Sequence, residues 1–283
     1  MALRVAALQM ASGTDVEANV TSALALVRRA LDAGATYVQT PEYFNYLGSP
    51  AGLAGVAESV PGPTTELFGA LAKEAGATIH LGSLAERAAT GKFHNTSVVI
   101  GPDGDVWATY RKVHLFDVAV TGEVASRESD AVEAGAEMVL ARLPEAAVGL
   151  SVCFDVRFPD LYRRLALAGA NVLAIPAAFA AATGKVHWHV LVRARAIENH
   201  AFVVAAAQAS TGGPFPTYGH SLIVSPWGEV LAEGPGEGEA LLVADLDLAQ
   251  VPRRRSQIDV LSLARPDVYA SDVRVLDTHH DPR

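Results

Sequence analysis

The chain has 283 residues, half of them hydrophobic and 19% charged, and 22 Lys+Arg against 31 Asp+Glu give a formal net charge of -9. This excludes an intrinsically disordered chain, which combines low hydrophobicity with high net charge, and argues against a nucleic-acid binder, which would show a basic face. The longest apolar run, Val172 to Ala182, is interrupted by Pro176 and is far shorter than the ~20 residues of a membrane helix.

Arg4 to Met10 reads as a buried strand. Val16, Val20, Ala23, Val27 and Ala30 recur at helical spacing, and Gly34 follows as a C-terminal stop. Ala35 to Thr40 is the next strand, with Pro41 and Glu42 at its carboxyl end. A helix over Thr64 to Ala75 and a strand over Thr78 to Leu84 come next. Two strand-like runs between Phe93 and Val113 flank the turn signal Gly101 to Gly104. His114 to Glu137 is polar and aperiodic, which predicts a long loop, and such loops are commonly functional. Ala147 to Val152 reads as a buried strand ending at Cys153, followed by a helix from about Pro159 to Ala168 and a strand over Asn171 to Pro176. Val186, Val190, Ala194, Ile197 and Ala201 form the apolar stripe of a longer helix. Phe202 to Gln208 is a strand, Thr211 to Thr217 a Gly/Pro loop, and Gly219 to Val224 with Glu229 to Leu231 a hairpin around Pro226 to Gly228.

Strands alternating with helices in both halves imply a layered α/β fold. With no linker-like composition shift, residues 1–270 read as one domain and 271–283 as a polar tail; Arg253 to Arg255 reads as a C-terminal appendage. The N-terminal residues run straight into a strand without a signal-peptide layout, and one cysteine permits no internal disulfide, so the expected location is cytoplasmic.

Three residues stand at strand ends: Glu42 after the second strand, Lys112 at the end of a strand over Val106 to Val113, and Cys153. Ligand sites of α/β sheets lie outside the carboxyl ends of strands. There a carboxylate, an ammonium and a thiol could serve acyl transfer as proton acceptor, oxyanion partner and nucleophile. The start of the helical segment after Cys153 would also aim backbone N–H groups, notably that of Phe154, at the reacting oxygen. Taken singly, each residue is as easily structural: cysteine is among the most buried types, and the spacing of the three does not exceed chance. Lysine is scarce, however, with four (Lys73, Lys92, Lys112, Lys185) against eighteen arginines.

The flanking sequences add specificity. Pro41 to Asn45, Tyr110 to Asp117 and Ser151 to Pro159 resemble blocks of the nitrilase, or carbon–nitrogen hydrolase, superfamily. Phe179 to Trp188, Arg193 to Asn199, Tyr218 to Ser221 and Pro226 to Gly228 continue the resemblance in order, from about Arg4 to Tyr269. Tyr110 to Asp117 and Arg127 to Ser129 are similar to the branch holding deaminated-glutathione amidases and ω-amidases. The resemblance implies a four-layer α-β-β-α sandwich that assembles through homodimers. It implies Cys153 as nucleophile, Glu42 as general base, Lys112 as the cationic catalytic residue and Glu128 as a second glutamate that positions lysine and substrate. Arg157, Phe179, Thr183 and Phe154 fall on pocket positions. Arg157 could hold a substrate carboxylate or instead bond loop carbonyls. Phe154 stands where many relatives carry Tyr, and Ala180 where a polar residue is common. The expected reaction is hydrolysis of a small primary amide, a 2-oxo acid amide or deaminated-glutathione-like compound, through a thioester, with no metal or organic cofactor and no nucleic-acid or membrane partner.

Alternatives remain at this level. N-carbamoyl amino acid hydrolases and nitrilases use the same triad, and a catalytically inactive interaction protein could share the fold. Gly149, Ser151 and Cys153 half-match a serine elbow, but Cys153 occupies the place of its final glycine. Gly234, Gly236 and Gly238 read as a turn rather than a dinucleotide fingerprint. His187 and His189 diverge on a helix, so they read as one packed and one exposed residue rather than a metal pair. His279 and His280 fall in the tail.

Overall fold

The structure is a computed structural model that describes residues 2–120, 124–211 and 216–273. In chain order the elements are β1 (Ala2–Gln9), α1 (Val16–Asp32), β2 (Tyr37–Gln39), α2 (Pro50–Val56), α3 (Pro63–Ala75), β3 (Thr78–Arg87), β4 (Phe93–Ile100), β5 (Val106–Arg111), β6 (Asp117–Val120), β7 (Val124–Arg127), β8 (Leu140–Arg142), β9 (Ala147–Leu150), α4 (Pro159–Leu167), β10 (Val172–Ala174), α5 (Ala181–Asn199), β11 (Phe202–Ala205), β12 (Leu222–Val224), β13 (Val230–Glu233), β14 (Ala240–Asp247), α6 (Gln250–Gln257) and α7 (Pro266–Tyr269). Two six-stranded sheets run in the orders β14-β1-β2-β3-β4-β5 and β13-β12-β11-β10-β9-β8. Each has a parallel centre, β1-β2-β3 and β9-β10-β11, flanked by antiparallel strands.

The central strands are covered on both faces, so they read as continuous apolar runs. On β1, Ala6 and Leu8 join a core with Ala23, Leu26 and Val27 of α1 and Phe68 and Leu71 of α3. The alternate residues Val5 and Ala7 join a second core with Val148, Leu150 and Val204 of the other sheet. Leu161, Leu165, Trp188 and Val192 place α4 and α5 against that second core. The order of layers is therefore α-β-β-α, as the resemblance implies. The Asp15 side chain caps α1 by accepting from the Ala18 N–H, and Gly34, at φ 82, turns the chain after it.

Four sequence expectations need correction. His114 to Glu137 is not one loop: β6 and β7 pair as a hairpin and Glu128–Asp130 forms a 3-10 turn. Of the predicted stripe, Val186, Val190 and Ile197 face outward on α5, at 69%, 67% and 45% exposure, and Ala201 is buried beyond the helix end, while Trp188, Val192, Arg195, Ala196 and Asn199 face the core. Arg253 to Arg255 is no appendage, because it lies on α6, where Arg255 donates to the carbonyls of Ala170 (2.6 Å) and Asn199 (3.2 Å). Strands β8 and β14 complete sheet edges that periodicity did not reveal. The end of the polar tail, with His279 and His280, lies outside the described residues.

Candidate active site

Glu42 follows β2, Lys112 follows β5 and Cys153 lies just beyond β9. The two sheets thus bring three strand ends to one place. Close approach at Glu42 needs Gly82, where a Cβ would lie 2.0 Å from the Thr40 carbonyl oxygen and 2.6 Å from that of Pro41. Lys112 Nζ donates to Glu42 Oε1 (3.0 Å) and to Glu128 Oε2 (2.9 Å) and Oε1 (3.2 Å). Asn95 Nδ2 donates to the Oε1 atoms of both glutamates, at 2.8 and 3.2 Å. Glu42 Oε2 accepts the Ala178 N–H (2.7 Å), and Glu128 Oε2 accepts the Phe116 N–H (2.6 Å). The carboxylates are thereby satisfied although Glu42 and Lys112 are almost fully buried.

Cys153 has φ 48, a left-handed conformation that is costly for a side-chain-bearing residue. It opens a 3-10 turn, Cys153–Arg157, rather than the α-helix itself, which starts at Pro159. Asp155, fully buried, holds the turn. Its Oδ2 accepts from the Val152 N–H and the Tyr110 hydroxyl, both at 2.8 Å. Its Oδ1 accepts the His114 N–H (3.1 Å) and lies 2.7 Å from His114 Nδ1. The segment around Lys112 and the cysteine turn are thus tied through one carboxylate. The Cys153 N–H donates to the Pro176 carbonyl (2.8 Å).

Burial opposes charge on Lys112, but Glu128 and then Glu42 attract it and hold its pKa well above the ordinary lysine value. Burial, and then the negative charge of Glu42, push the Cys153 thiol well up, with Lys112 opposing. The thiol side chain thus sits beside the Glu42 carboxyl and the Lys112 amine. A cavity of about 380 Å³ opens onto these groups. Every sequence-predicted site residue lines it: Glu42, Lys112, Glu128 and Cys153, together with Phe154, Arg157, Phe179 and Thr183. The Arg157 guanidinium lies 5.7 and 5.1 Å from the Phe154 and Phe179 ring centroids. It donates to Thr183 Oγ1 (3.4 Å) and contacts His187 Nδ1 (3.2 Å). Burial lowers its pKa, and among the described residues no carboxylate pairs with it.

Ser151 is no nucleophile candidate: its Oγ is buried against the Tyr162 hydroxyl and the Ala174 carbonyl. His187 and His189 diverge as expected, toward Arg157 and Glu233. Sequence reasoning assigned no role to Asn95, Asp155 or Tyr43, whose hydroxyl reaches Glu128 at 3.5 Å. Tyr43 and Asp155 lie in the quoted blocks, so position beside Glu42 and Cys153 was the available signal. Asn95 had none beyond its place on a strand.

The model of the carbon-nitrogen hydrolase family matches residues 4–255. Human omega-amidase NIT2 is 38% identical over 275 residues, covering 96% of this chain and 98% of that protein. Deaminated glutathione amidase of Bos taurus is 39% identical over 277 residues, covering 94% and 83%. Among solved structures, the amidase from Nesterenkonia sp. AN1 superposes with a TM-score of 0.80 at 26% identity, covering 94% of this chain and 95% of that one. That structure is of a glutamate-to-glutamine mutant carrying the acetamide moiety of fluoroacetamide covalently on the active-site cysteine. The family match and these relatives make the chain a hydrolytic enzyme acting on carbon–nitrogen bonds. The chain belongs to the carbon–nitrogen hydrolase family.

Proposed function

We propose that the protein is a cofactor-independent amidase that converts a small anionic primary amide to the carboxylic acid and ammonia through a thioester on Cys153. The observation that carries this reading is the convergence of Glu42 and Glu128 on the Lys112 ammonium beside the chain's only cysteine. Glu42 takes the thiol proton as sulfur attacks the amide carbon, which explains how a thiol with a raised pKa can react. The developing oxyanion faces Lys112 and the Phe154 N–H. Glu42 returns the proton to the nitrogen, the C–N bond breaks and ammonia leaves. Glu42 next takes a proton from water, whose oxygen attacks the thioester; the C–S bond breaks and the thiol is restored. Glu128 holds Lys112 in place. Residues 1–270 act as one catalytic domain.

Arg157 supplies the substrate preference. It is a half-buried cation on the cavity wall with no carboxylate partner among the described residues. A carboxylate or 2-oxo-carboxylate on the substrate would complete that pair, which suits a 2-oxo acid ω-amide or a deaminated-glutathione-like amide. Ammonia release across anionic amides, their neutral analogues, nitriles and N-carbamoyl amino acids tests the whole reading. Wild type should favour anionic amides and Cys153→Ala should release no ammonia. Arg157→Ala should lose roughly two to three orders of magnitude in kcat/KM on anionic amides and little on neutral ones. Equal losses on both would end the recognition role, and turnover by Cys153→Ala would end the thioester route.

The same reading includes a cytoplasmic homodimer. Val186, Val190 and Ile197 form an exposed apolar stripe on α5 that a second copy would cover. No helix among the described residues is long and apolar enough to cross a membrane. Sedimentation should give a dimer that Val190→Asp converts to monomer, and an unchanged dimer would remove the stripe from the interface. Activity recovered in the membrane pellet would contradict the location.

A further inference from the structure

Outside the catalytic cavity, three metal-ligating side chains from separate elements converge on one point. His189 projects from α5, His220 precedes β12, and Glu233 ends β13. Glu233 Oε1 lies 3.0 Å from His189 Nε2 and 2.9 Å from His220 Nδ1, and the three atoms all lie within 4.8 Å of one another. All three residues are partly exposed, so an ion could enter from solvent.

The histidines are held in place by more than Glu233. His220 has φ 50; its N–H donates to the Pro235 carbonyl (3.0 Å), and its own carbonyl accepts the Trp188 indole N–H (2.7 Å). The His220 ring packs on Tyr218 at 4.4 Å between centroids and lies so close to Gly236 that a Cβ there would meet its Nε2 at 3.0 Å. His189 sits on a helix of nineteen residues. Rigid supports of this kind keep ligand atoms converged instead of letting them relax apart.

We propose that His189, His220 and Glu233 form a binding site for a divalent transition-metal ion, best suited to Zn²⁺, with a fourth position open to water. Two imidazoles and a carboxylate match zinc rather than Mg²⁺ or Ca²⁺, which select oxygen ligands. Ligand bonds of about 2.0–2.2 Å in a tetrahedron place the donor atoms roughly 3.3–3.6 Å apart. The two histidine–glutamate distances, 3.0 and 2.9 Å, need to open by only a few tenths of an ångström. On binding, the ion takes the ring nitrogens that face Glu233, and each neutral imidazole keeps its single proton on its other nitrogen, His189 Nδ1 and His220 Nε2. The bound ion fastens α5 to the hairpin of β12 and β13.

The test is equilibrium dialysis of Zn²⁺ against the full-length chain carrying Cys153→Ser, so that no thiol competes. One equivalent should bind. Loss of an outer-shell partner alone weakens metal sites 10–100-fold, so His189→Gln or Glu233→Gln should weaken binding by about a hundredfold or more. His279→Gln/His280→Gln in the tail should leave it unchanged. Co²⁺ should give visible d–d bands without a sulfur charge-transfer band, and Zn²⁺ should raise the melting temperature only while the three ligands are intact. Glu233→Gln preserves shape and hydrogen bonding, which separates lost ligation from lost folding. Absence of a stoichiometric equivalent, or an equivalent that survives both His189→Gln and Glu233→Gln, would overturn the site.

Discussion

Arg111 and Lys112 are neighbours in sequence and opposites in environment. Arg111, the last residue of β5, points to the rim and meets Glu86 through Nε (2.9 Å) and NH2 (2.8 Å), with its own side chain 49% exposed. Lys112, one residue on, turns the other way and is 2% exposed between Glu42 and Glu128. Alternation along an extended chain sends successive side chains to opposite faces. One register step therefore separates a solvent-screened ion pair from a buried charge cluster. Geometry is good in both; what differs is the cost of removing one partner.

The largest expected effect comes from Lys112→Met. Breaking a buried pair typically costs 3–5 kcal/mol, because the remaining charge is left uncompensated. On the proposed mechanism, losing Lys112 as oxyanion partner should also reduce kcat by about 10²–10³-fold. Lys112→Arg should recover stability more than turnover, since a planar guanidinium cannot replace a compact ammonium at one point. Thermal melts and ammonia release on the same samples separate the two, and full activity in Lys112→Arg would remove the point-charge argument.

Arg111→Met should cost less than Lys112→Met, about 1–2 kcal/mol at pH 7, because Arg111 is half exposed while the Glu86 carboxylate it leaves behind is 10% exposed and keeps only the Thr96 hydroxyl. Its pH dependence sharpens the contrast. Burial pushes the Glu86 carboxyl up, but the hydrogen bonds from Arg111 and Thr96 more than offset it and hold the pKa below the ordinary value. A depressed carboxylate contributes stability above its unfolded pKa, and that contribution is lost as pH falls through the folded pKa. Wild type and Arg111→Met should therefore differ at neutral pH and converge in acid, below the ordinary carboxylate range. Denaturation midpoints followed across pH check this, and a gap that persists in strong acid would mean that packing, not charge, accounts for it.

Much of the candidate site was legible in the sequence because Glu42, Lys112 and Cys153, which line one cavity, sit at strand ends inside ordered blocks. Less was legible where the relevant quantity was the identity of a neighbour. The period of α5 was read correctly but its face was not. Periodicity finds an apolar stripe, whereas the core side here includes Arg195, whose Nε is satisfied by the Val156 carbonyl (2.8 Å), and Asn199, which donates to the Arg195 carbonyl (3.0 Å). The β6–β7 hairpin was missed because strands of four residues offer too few alternations to stand out. Asn95 was invisible because its role depends on two glutamates brought in from other segments.

The pairing of β1 with β14 also sets an order of events during synthesis. Ala2 lies opposite Asp247 and Gln9 opposite Ala240, so eight residues near the start of the chain wait for a partner made more than two hundred residues later. At ribosomal rates of about 5–20 residues per second, that interval is roughly 10–50 s. During it, one edge of β1 presents unpaired backbone groups, the feature that invites pairing with another chain. The nascent protein is thus most exposed to misassembly at a strand that is among the best protected in the finished fold, and the arrival of β14 closes that window.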